Sequence, residues 1–330
     1  MDFRRFSRAG AILCFHSVTT PGLPASGAAH LRLEALASIL RTARLVGELV
    51  PLSHLVARHQ VGRSTAGLIA VTLDDAYAAL GAGFRSLIVR EAVPVAVFVV
   101  TNAAATGARF WWDRIDDLHP HVPAERWREF EKTCGLTDDY RRGQPREHGP
   151  LRPLRQWLLA NFAGRWPERL EPALGALEGE AGIRTAHRSM TFAELDALAA
   201  TGLIEIGVHT VSHPVLPLLS ETEVTEEVTS SYDALQRRFA APLRVLAIPF
   251  GLYDEMTLRA ARSAGMTASL TLGGRTLHDA ARRDALPRFC LTTNDTPTRL
   301  ALRLLDVVQP FRRWSGHQAD AYPELPSATT

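Results

Sequence analysis

Cysteine is scarce in this chain of 330 residues: Cys14, Cys134 and Cys290 are spread along it, are odd in number and form no Cys-x-x-Cys pair. That excludes a disulfide framework and argues against a thiolate metal site, leaving small buried residues in a reducing compartment as the expectation. Excess charge of one sign is missing too. Lys and Arg number 37 against 35 Asp and Glu, a formal net charge of +2. Such a balance leaves no electrostatic footprint for nucleic acid or an anionic membrane surface. No apolar run approaches the roughly 18 residues that a membrane span needs. The first apolar run, residues 9–15, is short, is interrupted by His16 and lacks a small-residue cleavage site, so a cytoplasmic protein is expected. Internal repeats and low-complexity tracts are absent as well.

What is present is a globular composition, 46% hydrophobic and 22% charged, long enough for a large core. Short apolar runs at 11–15, 68–73, 93–100, 204–208, 243–248 and 268–272 each end abruptly in polar residues. Their length and Val/Ile/Leu content predict strands buried on both faces. Helix-period segments lie between them. Residues 31–45 carry apolar positions at helical spacing. Thr191 with Glu194, and Ser220 with Glu223, read as capping boxes opening helices, and residues 253–264 form another helix before Gly265. Alternation of this kind predicts an α/β fold with a parallel sheet, doubly wound or closed as a barrel. Residues 113–188 break the alternation and read as a helical insertion within a single domain of residues 1–317. A tail at 318–330 is expected to fray.

Two motifs carry chemistry. The run Val71-Thr-Leu-Asp-Asp-Ala-Tyr77 puts adjacent carboxylates at the end of a strand. Adjacent residues of an extended strand point to opposite faces, so one carboxylate can face a metal and the other a water. Second, Ile206-Gly-Val-His-Thr-Val-Ser-His-Pro214 places two histidines four apart after an apolar strand. Asp75, His209 and His213 together make the two-histidine, one-carboxylate set typical of catalytic zinc or another divalent metal, with a position open for water. Both motifs sit at the C-terminal ends of strands, where α/β folds place their sites.

With the runs Ile12-Leu-Cys-Phe-His-Ser-Val18, Phe110-Trp-Trp-Asp113, Ile248-Pro-Phe-Gly251 and Leu286-Pro-Arg288 added, the chain resembles the polysaccharide deacetylase family (carbohydrate esterase family 4, the NodB-homology domain). The blocks occur in family order over about residues 11–292. The resemblance implies a distorted (β/α) barrel with fewer than eight strands, and hydrolysis of N-acetyl or O-acetyl groups on glycans. It implies Asp75, His209 and His213 as metal ligands and Asp74 as the general base. The backbone N–H of Phe250, where the family usually has Tyr, becomes the oxyanion donor.

Three departures stand out. Ala76 replaces the glycine usual after Asp-Asp. Ala247 falls where the family has the arginine that orients the catalytic Asp, and Arg288 is the candidate substitute, the alternative being a structural salt bridge. The block that supplies the family's general acid is not visible near residues 286–292. An amine leaving group needs a proton. His16, ending the first strand, is the candidate acid, with a buried backbone-bonded histidine as the alternative.

The remaining candidates are weaker. Trp111 and Trp112 either stack on a sugar or belong to the core, Tyr77 and Asp113 are candidate substrate contacts, and Asp113 and Arg114 either line the groove or pair with each other. His119, His121, His148 and His187 are expected at the surface, as are His278 and Asp279. Three readings compete with the N-deacetylase. One is a deformylase or O-deacylase acting on a lipid- or nucleotide-linked sugar, another a catalytically inactive glycan-binding relative, and the third a metal-free amide hydrolase on the same barrel.

Overall fold

In the computed structural model, residues 9–19, 30–137, 151–182, 187–277 and 282–305 are described. The strands are β1 (Ala11–Phe15), β2 (Ser17–Thr19), β3 (His30–Arg32), β4 (Glu48–Leu49), β5 (Leu68–Leu73), β6 (Val95–Val99), β7 (Ile204–Val208), β8 (Val245–Ala247), β9 (Ala268–Leu272) and β10 (Ala285–Cys290). All six expected runs form strands. Two are shorter than expected: β6 starts after Pro94, which has no N–H to give the ladder, and β8 stops before the turn Pro249–Gly251.

Seven of these strands run parallel in the order β1-β10-β9-β8-β7-β6-β5, and pairing of β1 with β5 closes the ring. The result is a seven-stranded (β/α) barrel, as the resemblance implied. Strand β4 covers only the start of β5, and β2 pairs with β3 in a separate ribbon.

The period of two along each strand sorts the side chains. Ile12, Ala70, Ala96, Phe98, Val245, Ala247, Leu270 and Leu286 pack together as the barrel filling. Their neighbours Leu13, Val71, Val97, Val208 and Leu246 join the larger cluster beneath the helices. Gly207 is needed for this filling, because a Cβ there would lie 2.4 Å from the Phe98 ring. Continuing the inward parity to the strand ends brings Cys14 and His16, Thr72 and Asp74, His209, and Arg288 and Cys290 to one mouth.

The outer helices follow their expected signals. Both capping boxes form, at Thr191 with Glu194 and at Ser220 with Glu223. The helix expected from 253 begins at Glu255, because the Asp254 side chain accepts the Thr257 N–H and fixes the start there. In the helix Leu33–Val46, Leu36, Ala37, Ile39, Leu40, Ala43 and Val46 are buried while Leu45 stands out to solvent.

The insertion is helical among the described residues: Trp111–Leu118, Ala124–Thr133, Arg152–Phe162 and Glu171–Ala181. It starts two residues earlier than expected and has its own apolar core, including Trp111, Ile115, Trp127, Leu158, Leu174 and Val215. Arg114 does not pair with Asp113. It forks onto Glu171 at 2.8 Å and reaches Glu178 at 2.9 Å, tying the first insertion helix to the last. His119 is partly exposed and His121 exposed, as expected, whereas His187 is fully buried with its ring 4.0 Å from that of His30, contrary to the surface position expected. His148, His278, Asp279 and the tail from 318 lie outside the described residues.

Candidate active site

Asp75 follows β5 in a left-handed conformation (φ 65°), as does Ala76 (φ 51°). Glycine adopts this backbone without cost, whereas alanine is strained in it, which is the physical meaning of the Ala76 departure. The neighbours hold the turn. Met190 donates its N–H to the Ala76 carbonyl at 2.7 Å, and the Ser189 hydroxyl donates to that of Asp75 at 3.3 Å.

Turning the chain here aims Asp75 Oδ1 between two imidazoles, 3.5 Å from His209 Nε2 and 3.5 Å from His213 Nε2. His209 gives its Nδ1 proton to the Ala247 carbonyl at 2.8 Å, which leaves Nε2 as the lone pair facing Asp75. Ala247, where the family carries an arginine, thus serves the site through its backbone. His213 reaches the same point because Thr210 (φ 66°) and His213 (φ 57°) both turn left-handed, and the Thr210 hydroxyl accepts the His213 N–H at 3.0 Å.

All three groups are buried. Desolvation pushes His213 down to about 3, keeping the imidazole neutral. Burial works to raise Asp75, but the two neighbouring histidines outweigh it, so the carboxyl lies below its ordinary value. Asp75 Oδ1 is buried with no hydrogen-bond partner. An orphaned carboxylate oxygen facing two imidazole nitrogens is a donor set that fits a divalent metal. Ligand bonds of about 2.0–2.2 Å would separate tetrahedral N and O donors by roughly 3.3 Å, close to the spacing found.

Beside this cluster, Asp74 faces the other way, into the barrel. Arg288, with no exposed side-chain surface, grips it with both nitrogens, Nη1 to Oδ1 and Nη2 to Oδ2 at 2.8 Å each. Nη1 also donates to the Thr72 hydroxyl at 3.2 Å. Burial alone would raise the Asp74 carboxyl, yet the Arg288 guanidinium holds it well below the usual carboxylate range. Of the two alternatives for Arg288, the structure puts it on Asp74, in a buried pair at the mouth.

His16 is partly buried at the end of β1 and in hydrogen-bond contact with Cys290. Desolvation opposes its protonation, but that contact and the carboxylates of Asp75 and Asp74 dominate and push it up to about 9. Cys14 and Cys290 face each other in register across β1 and β10, although they lie far apart in the sequence. The Cys14 thiol donates to Asp74 Oδ2 at 3.6 Å and is pushed up by burial, while contact with Cys14 and His16 draws the Cys290 thiol down. Distance in sequence hid this pair; only the β1–β10 register exposes it.

The aromatic candidates separate. Trp111 turns into the insertion core, its indole N–H on the Gly164 carbonyl at 2.9 Å, and offers no face to a ligand. Trp112 is half-buried with its ring 5.0 Å from that of His213, stacked on Phe110 and donating its N–H to the Tyr77 hydroxyl at 3.0 Å. Tyr77 and Asp113 are buried and bonded to each other at 2.6 Å, with His30 Nε2 3.2 Å from Asp113, so they support Trp112 from beneath. Phe250 has a left-handed backbone (φ 56°), and its ring packs edge-on against His213 at 4.6 Å.

Glu227 is a residue that sequence reading passed over. From the helix Glu221–Gln236 it accepts the N–H groups of Val211 and Ser212 at 2.9 and 3.0 Å and the Ser212 hydroxyl at 2.6 Å. Arg165 of the insertion pairs with it at 2.8 Å. The histidine loop is therefore clamped from a helix and from the insertion together. A glutamate within a helix full of glutamates gives no sequence signal of that duty.

Residues 182–269 match the polysaccharide deacetylase family. No match was found among curated proteins. Among solved structures, the chain is similar to the deacetylase PplD of Streptococcus pyogenes in complex with acetate, with a TM-score of 0.58, 14% identity, and coverage of 92% of this chain and 99% of that one. IcaB of Ammonifex degensii is similar with a TM-score of 0.57, 18% identity, and coverage of 90% and 97%. The BpsB deacetylase domain of Bordetella bronchiseptica aligns with a TM-score of 0.51, 15% identity, and coverage of 86% and 96%. The match to the polysaccharide deacetylase family is thus confined to residues 182–269, and over the rest of the chain the likeness to these structures is one of fold.

Proposed function

We propose that this chain removes an N-acetyl, or O-acetyl, group from a carbohydrate in a divalent-metal-dependent hydrolysis. The observation that carries the reading is the buried set Asp75, His209 and His213, with the Arg288–Asp74 pair beside it. Those three residues would hold the metal, for which zinc suits the donor set. Bound there, the ion supplies Lewis acidity toward the acyl carbonyl and lowers the pKa of water.

The chain's own groups divide the remaining work. Asp74 is kept ionised and oriented by Arg288, and accepts the proton of the attacking water. The backbone N–H of Phe250 donates to the developing oxyanion. His16, held protonated at neutral pH, gives its proton to the leaving amine. Trp112, beside His213 and braced by Tyr77, offers a face on which a sugar ring packs. Two free thiols in contact at the mouth suit a reducing compartment, which favours a cytoplasmic carbohydrate substrate. No described helix is long and apolar enough to cross a membrane.

The test is acetate and formate release from acylated sugars that are free, nucleotide-linked or lipid-linked. Acetate release that requires a divalent metal, and disappears in the double variant His209→Ala/His213→Ala, is expected. Formate release alone would transfer the reading to a deformylase, and turnover in the presence of chelator would overturn metal dependence.

A further inference from the structure

A second group of soft donors lies at the same mouth. Cys14 and His16 are two apart on the end of β1 and so share a face, and Cys290 lies directly across from Cys14 in the parallel register. One ligand atom from each of the three falls within 4.8 Å of the other two. Tetrahedral sulfur and nitrogen donors around one zinc ion are separated by roughly 3.3–3.8 Å, given bonds of about 2.3 and 2.0 Å. Closing that difference takes small rotations of side chains, and neither His16 nor Cys290 is fully enclosed. His16 Nδ1 is buried without a hydrogen-bond partner, so no protein contact has to be broken for this nitrogen to lose its proton and face an ion. Both cysteines are free thiols.

We propose that Cys14, His16 and Cys290 form a second metal site, selective for a thiophilic divalent ion such as Zn2+ or Cd2+, and that its occupation inhibits the enzyme. Charge supports the assignment. Binding displaces the protons held by Cys14, Cys290 and the His16 imidazolium, and the two thiolates then neutralise a divalent ion while Asp74 and Arg288 neutralise each other. Two sulfurs and one imidazole also differ in kind from the oxygen and two imidazoles of the neighbouring cluster, and softer ions sort toward the sulfurs. An ion here engages His16, the proposed proton donor, and draws Cys14 off Asp74. The inhibition rests on the proposed role of His16, whereas the binding does not.

The two parts are read separately. Metal-free protein, kept reduced with a phosphine, is titrated with Co2+ and followed by absorbance and by metal analysis. Two ions per chain are expected, one of them bringing a thiolate-to-cobalt charge-transfer band in the near ultraviolet. The variant Cys290→Ser should lose that band and one ion. The variant His209→Ala/His213→Ala should lose the other ion and keep the band, so failure of the catalytic reading leaves this signature intact. Wild-type protein that saturates without a charge-transfer band overturns the site, whatever the variants do. Zn2+ beyond the first equivalent should lower the wild-type rate at least tenfold, while Cys290→Ser keeps the rate it has at one equivalent. A band with undiminished turnover overturns the inhibitory half of the proposal.

Discussion

At the scale of single residues, the pair of adjacent aspartates divides into two environments. Asp75 faces imidazoles and Asp74 faces a guanidinium, because a strand end followed by a left-handed residue sends consecutive side chains apart. The Arg288→Met substitution leaves Asp74 buried without its counter-charge, which costs about 3–5 kcal/mol of stability. The Asp74 carboxyl then climbs toward and above its ordinary range, so the acid limb of kcat/KM moves to higher pH. Denaturant unfolding and a pH–rate profile check both. His16 carries the opposite sign. Its pKa is raised from 6.5 to about 9, so its favourable interactions are fully present below pH 6.5 and lost as pH rises through about 9. Activity on an amide should fall across the same upper limb. His16→Gln should lose that limb together with about 10²–10⁴ in kcat, and lose less on an ester, whose leaving group needs less protonation. Trp112→Ala should raise KM for the sugar with kcat nearly unchanged, the signature of lost uniform binding.

At the scale of elements, the site depends on loops held by helices. The 209–213 loop has two left-handed non-glycine residues, a strained conformation that Glu227 and Thr210 help to hold by binding its N–H groups. Glu227→Ala should therefore weaken metal affinity by about 10–100-fold while the barrel stays folded, as read by metal titration alongside circular dichroism. The insertion contributes through Arg165 on Glu227 and through Trp112, which places a half-buried ring beside His213 of the barrel loop. Trp111 and Trp112 illustrate what a helix does to neighbours in sequence. Successive residues point about 100° apart, so one fills the insertion core and the other faces the mouth.

At the scale of the whole molecule, the barrel is filled by apolar layers that contain no metal ligand, so the ion is not a folding requirement. Removal of metal by chelator should leave the secondary structure intact. It should lower stability by the linkage term alone, about 4 kcal/mol when free metal had stood at a thousand times Kd. Thermal melts with and without chelator read this directly.

The local sequence determined most of the strands, both capping boxes and the three residues of the first cluster. Each of these rests on short-range features: runs of Val, Ile and Leu, Ser or Thr three residues before Glu, and histidines four apart. Tertiary structure alone decided what depends on register and closure. It set Arg288 on Asp74 from 214 residues away, brought Cys14 and Cys290 into contact, buried His187 against His30 and made Glu227 the clamp of the histidine loop. Such contacts arise when a parallel sheet closes on itself and places distant strand ends side by side, a relation that no window of sequence contains.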